Sequence, residues 1–182
     1  YGGLRLAGTL GKWFGHTNGL RLNVNGSYFD QKYHNKVKAI GAGLDYMLNM
    51  HNAFGGYNPD RRFWVNALAG VNYNYTSVYP GIHGHAFGYG GGLQANVRLS
   101  RDIDFVVEPR VDFYGNSYAP YANSFNQRDV MGSVLAGLVY TYHDRRVLRD
   151  DDAFTQQACH DHMFVETGIG LNLPVMASSL KH

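Results

Sequence analysis

The chain has 182 residues, of which 45% are hydrophobic and only 16% are charged, whereas a soluble domain usually carries about 25% charged residues. Its net charge of +2 comes from scattered lysines, arginines and acids, so no basic stripe indicates a nucleic-acid partner. The single cysteine excludes a disulfide scaffold. The longest apolar stretches are too short for a transmembrane helix, and the length fits one domain.

Apolar and polar residues alternate with a period of two along most of the chain, which is typical of β-strands. In the clearest case, Leu20, Leu22 and Val24 lie on one face of a strand, while Arg21 and Asn23 lie on the other. In chain order, the alternation predicts eight strands, at 4–14, 20–28, 37–48, 63–75, 87–99, 103–114, 134–142 and 163–173.

Three features indicate that the apolar faces point outward, toward lipid. The predicted strands have about nine to twelve residues, the length of a tilted membrane strand, whereas soluble strands are usually shorter. Aromatic residues cluster near the strand ends, as they do in outer-membrane barrels. The polar faces mix glycine, asparagine and opposite charges, which is typical of a narrow lumen. The sequence therefore predicts an all-β, antiparallel, up-and-down transmembrane β-barrel with about eight strands in this stretch.

The links between strands alternate in length. Short links at 15–19 and 100–102 are expected on the periplasmic side, and longer polar links at 30–36, 76–85 and 115–130 are expected outside. Two long connections, 49–62 and 143–162, break this rule. The resulting organisation is strands one to seven in 1–142, a charged periplasmic connection in 143–162, and a further barrel strand with the start of a loop in 163–182. The ends of the sequence suggest an excerpt of a longer chain.

Several strings resemble the barrel domain of the OmpA-like outer-membrane proteins of Bacteroidota. The most specific is Asn52-Ala53-Phe54-Gly55-Gly56-Tyr57-Asn58-Pro59, and the others are Gly8-Thr9-Leu10-Gly11-Lys12-Trp13-Phe14, Gly19-Leu20-Arg21-Leu22 and Leu93-Gln94-Ala95-Asn96-Val97-Arg98-Leu99-Ser100. Their order and approximate spacing match across about residues 8–142. The resemblance implies a barrel in the bacterial outer membrane, in contact with outer-membrane lipid and lipopolysaccharide.

The sequence departs from that family in two ways. A strand like Met163-Phe164-Val165-Glu166-Thr167-Gly168 normally opens the family's barrel, but here it comes last. A tandem arrangement, in which 143–162 joins one barrel-like repeat to the next, is the simplest explanation and would make a larger barrel. The family's periplasmic peptidoglycan-binding domain is absent from this stretch, so anchoring to the cell wall is not implied.

Charged residues lie on the predicted polar faces. Glu108, Arg110 and Asp112 follow one another at two-residue spacing, with Asp104 and Arg98 near them across a tight hairpin. Because an unpaired charge inside a narrow barrel is costly, these residues are expected to form a charge-balanced lumen network. Arg21 and Glu166 occupy polar-face positions in their own strands and belong to the same predicted network. The alternative is a selectivity lining for a pore.

No pattern predicts an enzyme or a bound cofactor. The string Cys159-His160-Asp161-His162 holds possible metal ligands, but adjacent side chains do not all converge on one ion, so no metal site is predicted. His83 and His85 flank a glycine in what reads as an outer loop. No serine lies in a nucleophile elbow, and a triad assembled on the barrel rim is the less favoured alternative.

The expected function is that of a non-enzymatic outer-membrane β-barrel, either a structural protein or a subunit of a larger outer-membrane complex. The alternatives are a porin-like channel for small solutes and a soluble lipocalin-like binder. Other outer-membrane or periplasmic proteins are expected as partners of the 49–62 connection, whose anchor residues are Phe54, Tyr57, Pro59, Arg61 and Arg62. In the competing interpretation this connection caps the barrel mouth, with Phe54 packed under the strands.

Overall fold

A computed structural model describes residues 3–30, 36–56, 61–78, 82–115, 129–142 and 162–175. The elements in chain order are β1 (Gly3–Trp13), β2 (Asn18–Asp30), β3 (Lys36–Asn49), α1 (Met50–Gly55), β4 (Phe63–Val78), β5 (Ile82–Arg98), β6 (Ile103–Tyr114), β7 (Asp129–Tyr142) and β8 (Met163–Val175). No helix within these ranges is both long and apolar enough to cross a membrane.

The eight strands form one closed barrel in sequence order. Each strand pairs antiparallel with the next, and β8 pairs with β1. The predicted antiparallel, up-and-down β-barrel with about eight strands is therefore confirmed. Closure leaves no edge strand, so every strand can hydrogen-bond on both sides.

The last strand corrects the tandem interpretation. Val165 of β8 lies opposite Tyr140 of β7 and opposite Leu10 of β1. β8 therefore completes the same barrel as β1–β7 and does not begin a second repeat within this chain. The alternation in its sequence is local and carries no information about which strands it joins.

A second correction concerns the predicted outer loop at 76–85. β4 continues to Val78 and β5 begins at Ile82, so the strands leave only 79–81 between them. His83 and His85 lie within β5, opposite Ser77 and Tyr75 of β4. The glycines on either side of these histidines resemble loop sequence, but the extended pairing with β4 keeps them in the sheet.

The barrel has two different ends. We call the end that carries the links 14–17 and 99–102 the turn end, and the end that carries the links 31–35 and 79–81 the loop end. In the turn between β1 and β2, Gly15 has φ of 101°, a conformation that favours glycine. Asn49 N-caps α1 by accepting a hydrogen bond from the backbone N–H of Asn52 at 3.0 Å, so α1 begins where β3 ends.

Burial along each strand is inverted relative to a soluble sheet. On β2, Arg21, Asn23 and Asn25 are buried, whereas Leu22 and Val24 are exposed. On the other strands the outward positions are mostly apolar, whereas the inward positions hold polar and charged side chains together with buried apolar ones such as Met47 and Phe164. Since paired residues in a sheet point to the same side, the register carries this division around the barrel and directs the polar side chains into the lumen.

Candidate functional site: the barrel lumen

Arg21 connects opposite walls of the lumen. Its strand, β2, lies four strands away from β6 in either direction around the barrel. The guanidinium donates to both carboxylate oxygens of Glu108 on β6, at 2.7 and 2.8 Å. It also donates to Asp45 of β3 at 3.0 Å and to Glu166 of β8 at 3.3 Å. One side chain therefore links four strands through ion pairs that are shielded from solvent.

Arg110 makes a second bridge, from β6 to β3. It donates to both carboxylate oxygens of Asp45, at 2.8 and 2.9 Å, and to Asp112 at 2.7 Å. Its separation from Glu108 is longer, 3.9 Å. β4 and β5 lie between these two strands, and the register places Gly70 beside Asp45 and Gly90 beside Asp112.

Gly70 and Gly90 leave room for this bridge. A Cβ atom added at Gly70 would collide with the Asp45 carboxylate, and one added at Gly90 would collide with the Asp112 carboxylate. Gly70 and Gly90 are also register partners of each other. The absence of side chains on two adjacent strands therefore clears the path along which Arg110 reaches Asp45.

Uncharged side chains complete the hydrogen bonding of the carboxylates. Asn23 donates to Asp45 at 2.8 Å, Asn72 donates to Asp112 at 2.9 Å, and Gln94 donates to Glu166 at 3.0 Å. Thr9 donates to the same Glu166 oxygen at 3.3 Å. These donors offset part of the cost of burying the charges.

The lumen network, as we define it, has one more carboxylate than guanidinium groups among the described residues. Its members are Arg5, Arg21, Asp45, Glu108, Arg110, Asp112 and Glu166. One oxygen of Glu166 is buried without a hydrogen-bond partner in the described part of the chain, and so is one oxygen of Asp112 that lies 3.9 Å from Arg5. The network therefore has a formal excess of one carboxylate and retains unused acceptors.

Apolar side chains fill the lumen toward the turn end. A buried cluster there is formed by Met47, Leu68, Val106, Val139 and Phe164, with Trp13 packed against it. The Trp13 and Phe164 rings lie 6.3 Å apart. A smaller cluster of Ala86, Tyr114 and Met131 lies toward the loop end. The ionic layer thus lies between the large turn-end cluster and the small loop-end cluster.

The structure brings five of the seven sequence-predicted lumen residues together: Arg21, Glu108, Arg110, Asp112 and Glu166. Arg98 and Asp104 are register partners near the turn end. Arg98 is exposed and lies over the Trp64 ring, at 5.3 Å from its centroid. These two residues lie outside the ionic layer because β5 and β6 meet the turn at that point.

Sequence reasoning missed two members of the network, Asp45 and Arg5. Both occupy inward positions in stretches where the alternation is weak, 37–48 and 4–14. The signal that could have identified them was their position in the alternating pattern, which places both side chains on the inward face of their strands. Asp45 is central to the site because Arg21 and Arg110 both donate to it.

The 49–62 connection is attached to the turn end through α1. Asn52 donates to the backbone carbonyl of His16 at 2.7 Å, and Arg61 donates to Asn52 at 3.3 Å. The backbone N–H of Val65 donates to His51 at 3.1 Å. Phe54 is 82% exposed, so the interpretation that packed it under the strands is wrong.

Of the other residues predicted to anchor a partner in this connection, the structure describes Arg61 and Arg62. Arg61 also donates to the Gly56 carbonyl at 3.4 Å, and the Arg62 carbonyl accepts from the backbone N–H of Arg98 at 2.8 Å. Tyr57 and Pro59 lie outside the described residues. The predicted partner loop is therefore built, within the described part, around exposed Phe54 and two arginines.

Within the described ranges, no group of three His, Cys, Asp or Glu side chains could hold a metal ion. Of the string Cys159 to His162, only His162 is described. Its carbonyl accepts from the backbone N–H of Trp13 at 2.9 Å.

Comparison with known proteins finds a relative that is named as an outer membrane protein. The chain is 32% identical over 114 residues to Outer membrane protein 40 of Porphyromonas gingivalis (strain ATCC BAA-308 / W83), a species of Bacteroidota. The match covers 54% of this chain and 30% of that protein, so this chain spans under a third of the relative's length. No protein-family model matches the chain.

The Arg21 bridge should dominate the stability of the barrel. We expect Arg21→Met to lower the free energy of unfolding by about 3–5 kcal/mol, because it leaves buried carboxylates without their cation. Adding Glu108→Gln removes one of those charges and returns the network to its native excess of one carboxylate. The double variant should therefore be more stable than Arg21→Met alone, as measured by denaturant unfolding in detergent. A double variant less stable than the single one would contradict this account.

Proposed function

We propose that the chain is a non-enzymatic integral outer-membrane β-barrel, a structural protein or a subunit of a larger outer-membrane assembly. The observation that carries this proposal is the inverted barrel, with an ion-paired interior and an apolar exterior. Leu22, Val71 and Ile169 are each more than half exposed. Exposing such a continuous apolar wall to water would cost free energy, whereas contact with lipid would not.

The height of the apolar wall fits a bilayer. On β4 the outward positions run from Phe63 through Val65, Ala67, Ala69 and Val71 to Tyr73. Ten residues at about 3.3 Å each, on a strand tilted by about 40°, give a height of about 25 Å. This equals the apolar band of outer-membrane barrels, which is about 25 Å tall.

Aromatic side chains lie outward at both limits of this band. The turn-end group is Phe14, Phe63, Phe105, Tyr140 and Tyr142, and the loop-end group is Tyr28, Tyr73, Tyr75, Phe87, Tyr89 and Phe113. Two such girdles at the membrane–water interfaces are typical of transmembrane barrels. The similarity to an outer membrane protein of Porphyromonas gingivalis supports the same location.

The interior favours a structural role over transport. Arg21 bridges β2 to β6, and the apolar cluster around Val106 and Phe164 fills the turn end of the lumen. An eight-stranded barrel has an interior that side chains fill. A solute would have to break buried ion pairs and displace packed apolar side chains to pass.

One observation favours the porin-like alternative. Polar atoms of Asn72, Asn74 and Asn172, on the loop-end side of the lumen, are buried without hydrogen-bond partners among the described residues. Such atoms are usually satisfied by water, so part of the interior has the chemistry of a wet channel. The channel would still have to open through the ionic layer.

Conductance distinguishes the two functions. In a planar bilayer, we expect the wild-type protein to show no large steady conductance, because Arg21 and Arg110 bridge the lumen. Arg110→Ala should raise ion passage only modestly, since the apolar cluster at the turn end is unchanged. A large wild-type conductance whose ion selectivity changes with Arg110→Ala would favour the porin.

Contact with lipid can be tested at two matched exposed positions. Val71 and Leu99 are 60% and 61% exposed, but Val71 lies in the apolar band and Leu99 follows β5 at the turn end. Val71→Arg should cost more in lipid than Leu99→Arg, because the cost of an arginine on the lipid face is about 2–4 kcal/mol at the bilayer midplane and falls to about 0–1 kcal/mol near the interfaces. The measurement is reversible unfolding in phospholipid vesicles. Small and equal costs would contradict a lipid-facing wall, because two exposed sites in water both tolerate arginine.

The proposal of an assembly subunit rests on Phe54. A phenylalanine 82% exposed on a connection attached to the barrel end is suited to anchor a partner. Phe14 serves as the matched control, because it is an aromatic residue at the same end and is 51% exposed. The centroid of its ring lies 5.4 Å from Nζ of Lys12. We expect Phe54→Ala to lose a co-purifying protein from native membranes in mild detergent, with the barrel still folded. Phe14→Ala should retain it. Recovery of the same isolated barrel from all three samples would reject the partner surface.

A further inference from the structure

Polar side chains line the outer wall just beyond the apolar band at the loop end. The register places Tyr28, Lys38, Ser77 and His83 in one row across β2, β3, β4 and β5. All four occupy outward positions, and Lys38 and His83 are exposed. Neighbouring strands lie about 4.8 Å apart, so the side chains of Lys38, Ser77 and His83 can reach a common group.

Tyrosines of β4 hold the histidines of β5. The Tyr75 hydroxyl lies 2.9 Å from Nδ1 of His83, and the Tyr73 hydroxyl is hydrogen-bonded to Nδ1 of His85. Each histidine ring stacks on its tyrosine, with an angle of 13° for His83 and Tyr75. These contacts orient the imidazoles and leave Nε2 as the remaining nitrogen. When the Tyr75 hydroxyl donates to Nδ1, the ring hydrogen is on Nε2, which is then a donor.

The position of Lys38 is unusual for this surface. Among the outward strand side chains that the structure describes, the lysines and arginines are Lys12, near the turn end, and Lys38, near the loop end. Lys38 pairs with Ser77, two residues beyond Tyr75 in the loop-end aromatic group. It therefore lies past the limit of the apolar band, where lipid headgroups begin.

From this arrangement we infer that Lys38, Ser77 and His83 bind a phosphate group on the headgroup of a membrane lipid. Each supplies a different donor to phosphate oxygens: an ammonium, a hydroxyl and an imidazole N–H. The loop-end aromatics below them contact the apolar part of the same molecule. This inference rests on the proposed membrane location, because only an inserted barrel holds this row at headgroup level.

The test measures lipid selectivity of the inserted protein. The probes are bisphosphorylated lipid A, its dephosphorylated analogue, and inorganic phosphate alone. Each is titrated into the folded protein in detergent, and bound molecules are counted by native mass spectrometry. We expect lipid A to bind about tenfold more tightly than the dephosphorylated analogue, the amount a charge-assisted contact supplies. Inorganic phosphate alone should not compete at equal concentration.

Three variants locate the site. Lys38→Gln with His83→Gln should abolish the preference for the phosphorylated lipid, whereas Lys12→Gln, the same charge change at the other end, should keep it. Ser77→Ala should weaken it and serves as a second variant if the double change reduces folding, which circular dichroism monitors. Equal preference in all variants, or equal binding of both lipids by the wild type, would overturn the inference. Competition by inorganic phosphate would identify a free-anion site and also overturn it.

A separate measurement keeps this inference distinct from the proposed function. Insertion of the wild-type protein into phosphatidylcholine vesicles, followed by protection of the strands from protease, tests the membrane location. Failure to insert would overturn both the proposed function and the lipid site. Insertion without selectivity for phosphate would overturn the lipid site alone.

Discussion

The buried ion pairs of Arg21 and Arg110 are the constraint on which the rest of the barrel depends. Removing charges from water costs several kcal/mol for each ion, and this cost is offset only when every partner is present with good geometry. The partners of Arg21 come from β3, β6 and β8, so they assemble only when the barrel is closed. A shift of one residue in register would turn these side chains outward. The network therefore favours one register and one closed form over open or slipped sheets.

The same network explains the composition of the interior. A guanidinium that crosses two strands needs a path, and Gly70 and Gly90 provide it because neither has a Cβ atom. The carboxylates need further donors, which Asn23, Asn72 and Gln94 supply. The charged groups are gathered inside, and the outer wall is formed mostly by apolar residues. That division reverses the arrangement of a soluble sheet and suits a protein whose solvent is lipid.

The outer surface then carries the features that distinguish one part of the barrel from another. At the turn end, hydrogen bonds from Asn52 and Arg61 hold the connection that exposes Phe54. At the loop end, tyrosines orient His83 and His85 beside Lys38 and Ser77. An exposed aromatic anchor is suited to a protein partner, whereas a row of phosphate donors beyond an apolar band is suited to lipid headgroups. The two ends of one barrel thus present different chemistry.

The sequence by itself determined the strands, their faces and the barrel class, because alternation with a period of two is a local property of each segment. It also identified Arg21, Glu108, Arg110, Asp112 and Glu166 as polar-face charges. It did not identify their partners, because the contacts of Arg21 with β6 and β8 depend on closure, and it left out Asp45, whose inward position lies in a stretch where the alternation is weak. Tertiary pairing alone placed β8 between β7 and β1, and it drew His83 and His85 into β5 despite their loop-like glycines. Strand neighbours, register and cross-lumen ion pairs join residues far apart in the chain, so no local pattern encodes them.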